Sequence, residues 1–171
     1  GGMNLQASNL TVPALRSGAD LTIRGSDQVN LEAVTATGTA DIAAADLFFD
    51  TIQATGGFST NNRSMTGRSI ASDGDVRLIT QRDILLKNLV GRAIDMFAGG
   101  GIDIVSLSTT GRVNAFADAV GFNSPGSLDL NEIFAIEGDI FITADGSINA
   151  KLVESLGNTT LTAFGGDIVI G

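Results

Sequence analysis

Three arginines that each directly follow a glycine are the residues best suited to bind a charged ligand. They are Arg68, Arg92 and Arg112. Arg92 and Arg112 are 112 − 92 = 20 residues apart, so a strand returning every 20 residues would stack them, with Arg68 extending the row. A guanidinium forms forked hydrogen bonds with sulfate or carboxylate groups, which predicts that this row binds sulfated or carboxylated glycans. The alternative is an exposed row that pairs with Asp95 and Asp118.

Carboxylates suggest a second chemistry, the cleavage of polysaccharides. Two carboxylates ~5–10 Å apart serve as acid and base in glycoside hydrolysis. Glu132 with Glu137, or Asp129 with Asn149 of a neighbouring coil, would bring suitable groups together. The chain has 19 acidic residues, so such neighbours arise by chance, and it has neither His nor Tyr to support them. We therefore expect no catalytic site and keep a polysaccharide-binding or polysaccharide-cleaving β-helix as an alternative.

Acidic, glycine-rich turns raise the possibility of calcium binding. Calcium-binding solenoids repeat a Gly-Gly-x-Gly-x-Asp nonapeptide in tandem. Residues 99–103 (GGGID) match part of one such unit, and no second copy follows nine residues later. Turns also favour these residues without any metal, because Gly adopts positive φ and the Asp side chain forms hydrogen bonds with the backbone. We expect no metal and no cofactor, with a calcium-stabilised solenoid left as an alternative.

Composition restricts the partners further. The formal net charge is −9, and such a surface repels phosphate backbones, so no nucleic-acid partner is expected. No apolar run reaches the ~20 residues of a membrane-spanning helix, so we expect no membrane insertion by this segment. Cysteine is absent, which excludes disulfides and thiolate metal sites.

A repeat positions these side chains. Short alternating segments follow a glycine, most of them 20 residues apart: residues 91–96 (GRAIDM), 111–115 (GRVNA), 126–130 (GSLDL), 146–150 (GSINA) and 166–170 (GDIVI). A second set lies between them: residues 101–105 (GIDIV), 138–142 (GDIFI) and 157–162 (GNTTLT). Apolar and polar residues alternate within each unit, which is the period of a half-buried strand.

A strand that returns once per coil must pair in parallel with its neighbour, and parallel crossovers are overwhelmingly right-handed. The sequence therefore predicts an all-β, right-handed parallel β-helix (β-solenoid) of about nine coils of 19–20 residues. We expect one domain over residues 1–171, with an irregular coil or loop at residues 59–73, where the chain is mostly polar. Phe97, Phe116 and Phe134 recur about once per coil, and we expect them to stack on the inward face.

The repeats resemble those of a known family. Residues 138–150 (GDIFITADGSINA) and 165–170 (GGDIVI) are similar to repeats of the filamentous haemagglutinin-like large exoproteins, which are secreted adhesins of Gram-negative bacteria. The resemblance implies a β-helical shaft that is secreted or displayed at the cell surface, associated with the outer membrane.

The same resemblance implies a structural or adhesive shaft segment without catalytic activity. Its expected partners are a glycan or protein on a host or neighbouring cell, together with the flanking solenoid coils of the parent chain. The segment would then be an interior piece of a much larger protein.

Overall fold

A computed structural model describes residues 1–171, all of whose regular structure is β-strand. The strands are β1 (Met3–Ala7), β2 (Leu10–Ser17), β3 (Leu21–Gly25), β4 (Gln28–Ala36), β5 (Ala40–Ala54), β6 (Phe58–Ser72), β7 (Val76–Thr80), β8 (Ile84–Gly91), β9 (Ile94–Ala98), β10 (Gly101–Thr109), β11 (Arg112–Ala117), β12 (Ala119–Ser124), β13 (Leu128–Ala135), β14 (Ile140–Ala144), β15 (Ile148–Ser155), β16 (Thr159–Ala163) and β17 (Ile168–Ile170). No helix long and apolar enough to cross a membrane is present.

Every strand pairing is parallel, and each joins one coil to the next. Met3 pairs with Leu21, Leu21 with Ala40, and Ala40 with Phe58, so the same position returns at each turn. The stacked coils form a β-solenoid of about nine turns, which confirms the predicted fold class. At ~4.8 Å between neighbouring strands, nine coils make a shaft roughly 43 Å long.

The coil length changes along the shaft. Ala40 pairs with Phe58, 58 − 40 = 18 residues on, whereas Ile148 pairs with Ile168, 168 − 148 = 20 residues on. The 19–20-residue period predicted from the glycines therefore holds at the C-terminal end, and the earlier coils are shorter.

A register shift separates these two regions. Val113 pairs with Leu130 but Asn114 pairs with Glu132, so Asn131 is an extra residue on the later strand. Such a bulge lengthens the coil without breaking the ladder. Gly111 and Gly126 are not register partners, because Arg112 pairs with Asp129 rather than with the residue after Gly126.

The solenoid runs unbroken through residues 59–73, where the prediction of an irregular coil or loop is wrong. Strand β6 covers this stretch and pairs with β5 on one side and with β7 and β8 on the other. Its polar side chains include buried ones: the Asn62 Oδ1 accepts the Ala44 N–H at 2.9 Å, and the Asn62 amide donates to Thr60 Oγ1. Hydrogen bonding thus satisfies side chains whose polarity suggested a loop.

The core is one continuous cluster of 41 buried residues that runs along the shaft. Inward side chains stack in columns, one residue per coil; one such column contains Ile23, Ile42, Thr60, Leu78, Met96 and Ala115. No single coil could bury its inner face alone, so each coil depends on its neighbours.

Turns between strands are held by short polar side chains. The Ser72 hydroxyl accepts the N–H of Gly74 at 3.2 Å, and the Thr109 hydroxyl accepts that of Gly111 at 3.1 Å. The Asp83 Oδ1 accepts the Gly101 N–H from the next coil at 2.8 Å. The Asp83 contact is the side-chain-to-backbone bond expected of Asp in the turns, and Ser and Thr form the equivalent bonds at the other two.

The expectation that the turn glycines adopt positive φ is wrong, because no residue in the chain has positive φ. Several turn glycines are needed for space instead. A Cβ at Gly74 would lie 1.5 Å from the carbonyl oxygen of Gly56 in the preceding coil. Neighbouring turns therefore approach more closely than a side chain allows.

Candidate functional site

Three phenylalanines on successive coils form an aromatic row. Phe97 of β9 pairs in register with Phe116 of β11, which pairs with Phe134 of β13. The first two rings stack with centroids 5.0 Å apart and planes 6° apart, and the next pair is 5.7 Å apart and tilted by 50°. The predicted ladder is therefore confirmed.

The row faces outward, so the prediction of an inward face is wrong. Phe97 is 50% exposed, whereas Met96 and Ala98 on either side of it are buried. Phe116 likewise lies between the buried Ala115 and Ala117. Strand alternation places Met96, Ala98, Ala115 and Ala117 inside and leaves the aromatic rings on the surface.

A polar row runs parallel to the aromatic row on the same outward face. It consists of Arg77, Asp95, Asn114 and Glu132, which are register partners on β7, β9, β11 and β13. The Asn114 amide donates to Asp95 Oδ1 at 2.5 Å. The extra residue at the register shift, Asn131, donates to Asn114 Oδ1 at 3.0 Å. These bonds hold the middle of the polar row in place.

The two rows line one groove along the shaft, hereafter the Phe groove. Its volume is about 580 Å³, and it spans the four coils from Arg77 to Phe134. A second cavity of about 610 Å³ shares Phe116 and Phe134 and continues as far as Leu156. The surface is therefore an elongated trough with an apolar side and a polar side.

The three arginines singled out from the sequence do not stack in one row. Arg68 lies on β6 with its Nε 2.8 Å from Asp50 Oδ1. The Arg92 Nε lies 2.9 Å from Asp75 Oδ1, an ion pair with a different aspartate from those expected. Arg112 begins β11 in another column of residues. Glycan binding by these residues stays a prediction, without the aligned row that motivated it.

Of the predicted carboxylate pairings, the structure brings one together. Asp129 and Asn149 are register partners on adjacent coils. Glu132 lies in the polar row of the Phe groove, whereas Glu137 lies in the turn after β13 has ended. No group of three or more Asp, Glu, His or Cys residues is arranged to hold a metal ion.

The Arg92–Asp75 pair predicts an acid-sensitive contribution to stability. The Arg92 guanidinium, chiefly by its hydrogen bond, lowers the pKa of Asp75 below its ordinary value. An aspartate in the unfolded chain has a pKa of about 3.9. The stabilisation from the Arg92–Asp75 pair is therefore present above about pH 4 and is lost as the pH falls through the lower pKa of Asp75 in the folded chain. On acidification from about pH 5 to below pH 3, the melting temperature of the Asp75→Asn variant should fall less than that of the unmodified chain.

Arg92→Gln serves as the matched variant, because it removes the same hydrogen bond from the other side. Thermal unfolding followed by circular dichroism across this pH range measures both variants. Melting curves that shift with pH as much in both variants as in the unmodified chain would contradict the assignment.

No family model, curated protein or solved structure matches this chain.

Proposed function

We propose that this chain is a structural and adhesive shaft segment of a large bacterial protein that is secreted or displayed at the outer membrane, and that it has no catalytic activity. The observation that carries the proposal is the unbroken parallel ladder over one continuous core. The bacterial setting is supported by the resemblance of residues 138–150 to exoprotein repeats.

Stiffness is the property that a shaft needs, and the hydrogen-bond pattern supports it. The backbone forms 126 hydrogen bonds, most of them within the strand ladders. In a parallel solenoid these bonds run along the long axis and join each coil to both neighbours. Bending the shaft would therefore strain many bonds at once.

Adhesion needs an exposed surface whose contact with a partner lowers the free energy. The Phe groove supports this part of the proposal. Contiguous exposed apolar groups bordered by polar ones mark interaction surfaces in soluble proteins. The aromatic row and the polar row of the Phe groove have this arrangement over several coils.

Two measurements test the proposal. Small-angle scattering of the chain should give the cross-section and length of a rod, and a compact sphere would contradict the shaft. Fluorescently labelled chain should bind to host or neighbouring-bacterium cells. If it binds to no cell type and to no glycan on an array, adhesion by this segment fails, and a spacer role alone stands.

Polysaccharide cleavage is a second candidate, favoured by one observation. Asp95 and Glu132 both line the Phe groove two coils apart, which is about 10 Å at ~4.8 Å per coil. Carboxylates of inverting glycosidases lie ~6.5–9.5 Å apart. Release of new reducing ends from a polysaccharide, abolished by Glu132→Gln, would establish this activity. Unchanged polymer length would eliminate it.

A further inference from the structure

We infer that the Phe groove binds an unbranched, uncharged polysaccharide whose chain runs along the solenoid axis. This inference rests on the adhesive part of the proposed function and gives it a location and a ligand class. On the three coils that carry Phe97, Phe116 and Phe134 the groove presents one aromatic and one polar residue per coil, so its chemistry repeats there every ~4.8 Å, and on the first coil Ile79 takes the aromatic position. An extended glycan repeats its own apolar and hydroxyl surfaces on a similar scale.

The apolar side of the groove suits the C–H face of a sugar ring. The rings of Phe97 and Phe116 stack on each other, so the groove meets their apolar C–H edges, and the tilted ring of Phe134 extends this apolar strip by one coil. Aromatic side chains contribute large contact areas with little flexibility, so little entropy is lost when a ligand packs on them.

The polar side suits hydroxyl groups. Carboxylates and amides accept and donate hydrogen bonds to hydroxyls, and the row contains both kinds of group. Asn114 is already fixed by bonds to Asp95 and Asn131, so its neighbours are oriented before a ligand arrives. Such preorganisation raises affinity.

Charge determines which glycans fit. The row carries the carboxylates of Asp95 and Glu132 and one arginine, Arg77, on a chain of net charge −9. Sulfated and carboxylated chains would meet repulsion along most of the groove. The binding of an uncharged glycan has no such electrostatic cost.

Other occupants fit less well. A peptide strand cannot extend the sheet here, because the groove lies on a sheet face whose strands are paired along the axis on both sides. A second copy docked face to face would bring the Asp95 and Glu132 carboxylates toward another set of the same residues. The groove is open along its length, so it admits internal stretches of a long chain.

The test compares defined glycans on the full chain. Cellohexaose, xylohexaose, chitohexaose and laminarihexaose are the uncharged probes, and heparin and polygalacturonate are the acidic ones. Calorimetry should detect binding of at least one uncharged probe. The double variant Phe97→Ser/Phe116→Ser should weaken that binding on the order of tenfold or more.

Phe141→Ser is the matched control, because Phe141 is 54% exposed on β14 and lies outside the groove. It should leave glycan affinity unchanged, and circular dichroism should show all variants folded. Binding of the acidic probes alone, or equal losses in the control and the groove variant, would overturn the inference. So would self-association, measured by sedimentation, that disappears only in the groove variant.

Failure of the inference and failure of the proposed function are distinguishable. If the chain binds cells but no uncharged probe, the Phe groove is not a glycan site, and the adhesive shaft stands. If it binds neither cells nor probes, both the adhesive function and the glycan site are rejected.

Discussion

Replacing Gly74 with alanine is expected to lower the free energy of unfolding by about 3–5 kcal/mol, at the upper end of overpacking effects. The new Cβ would lie 1.5 Å from the Gly56 carbonyl oxygen and 3.0 Å from the Gly57 nitrogen, both of them backbone atoms. A side chain could rotate away from such a contact, but two turns of a tight coil cannot. The Gly74 carbonyl also accepts the Arg92 N–H, so any shift weakens the next coil too.

Gly126→Ala is the matched control. Gly126 occupies the same kind of turn, with its N–H bonded to Ser124 two residues earlier, as Gly74 is bonded to Ser72. A Cβ at Gly126 would meet nothing within 4 Å. Since its φ is not positive, alanine there should be neutral or stabilising by up to about 1 kcal/mol. Urea unfolding of both variants measures the difference, and equal midpoints would refute close coil packing at Gly74.

The second large effect concerns Phe49 and Gly67, which are register partners on adjacent coils. The buried Phe49 ring fills the space that a side chain at Gly67 would take, and a Cβ there would lie 2.1 Å from the ring. Gly67→Ala should cost about 1–3 kcal/mol by overpacking. Shortening the ring by Phe49→Leu should remove most of that cost, so the double variant should be more stable than the sum of the single effects predicts.

A double-mutant cycle from urea unfolding gives the coupling, expected at about 0.5–3 kcal/mol. Phe58→Leu combined with Gly67→Ala is the control pair. Phe58 is also buried, but it pairs with Ala40 and Val76 rather than with Gly67. Its effect should therefore add to that of Gly67→Ala within about 0.5 kcal/mol. Equal coupling in both pairs would mean that Gly67 does not accommodate the Phe49 ring.

The repeat predicts the fold, and strand alternation predicts the outward direction of the phenylalanines in the Phe groove. Residues 113–117 (VNAFA) alternate so that Val113 faces inward and Phe116 outward, as the structure has them. The expectation that the phenylalanines face inward gives the size of the ring more weight than this alternation. The inward positions on either side of Phe116 are instead taken by Ala115 and Ala117.

The earlier coils were harder to predict for a different reason. Their period is 18–19 residues, and their buried positions include the polar Thr60 and Asn62. A search for glycines at 20-residue steps misses this shorter coil. A Ser two residues before the turn glycine marks one of these turns, at Ser72 with Gly74, whereas Ala36 and Ala54 stand at that place before Gly38 and Gly56.

Close stacking of turns could not be deduced from the sequence at all. Gly74 and Gly126 look alike in the printed chain, yet only Gly74 lies against backbone of the preceding coil. The difference depends on coil lengths several residues away, which set how neighbouring turns overlap.

The axial direction of the ladder bonds has a mechanical consequence. A coil at the end of any such shaft is bonded to one neighbour only, so a pull along the axis unravels end coils before inner ones. Each coil that peels away frees 18–20 residues, or roughly 60–70 Å of extended chain at ~3.3–3.6 Å per residue. The shaft would lengthen in discrete steps under tension and absorb work at each one.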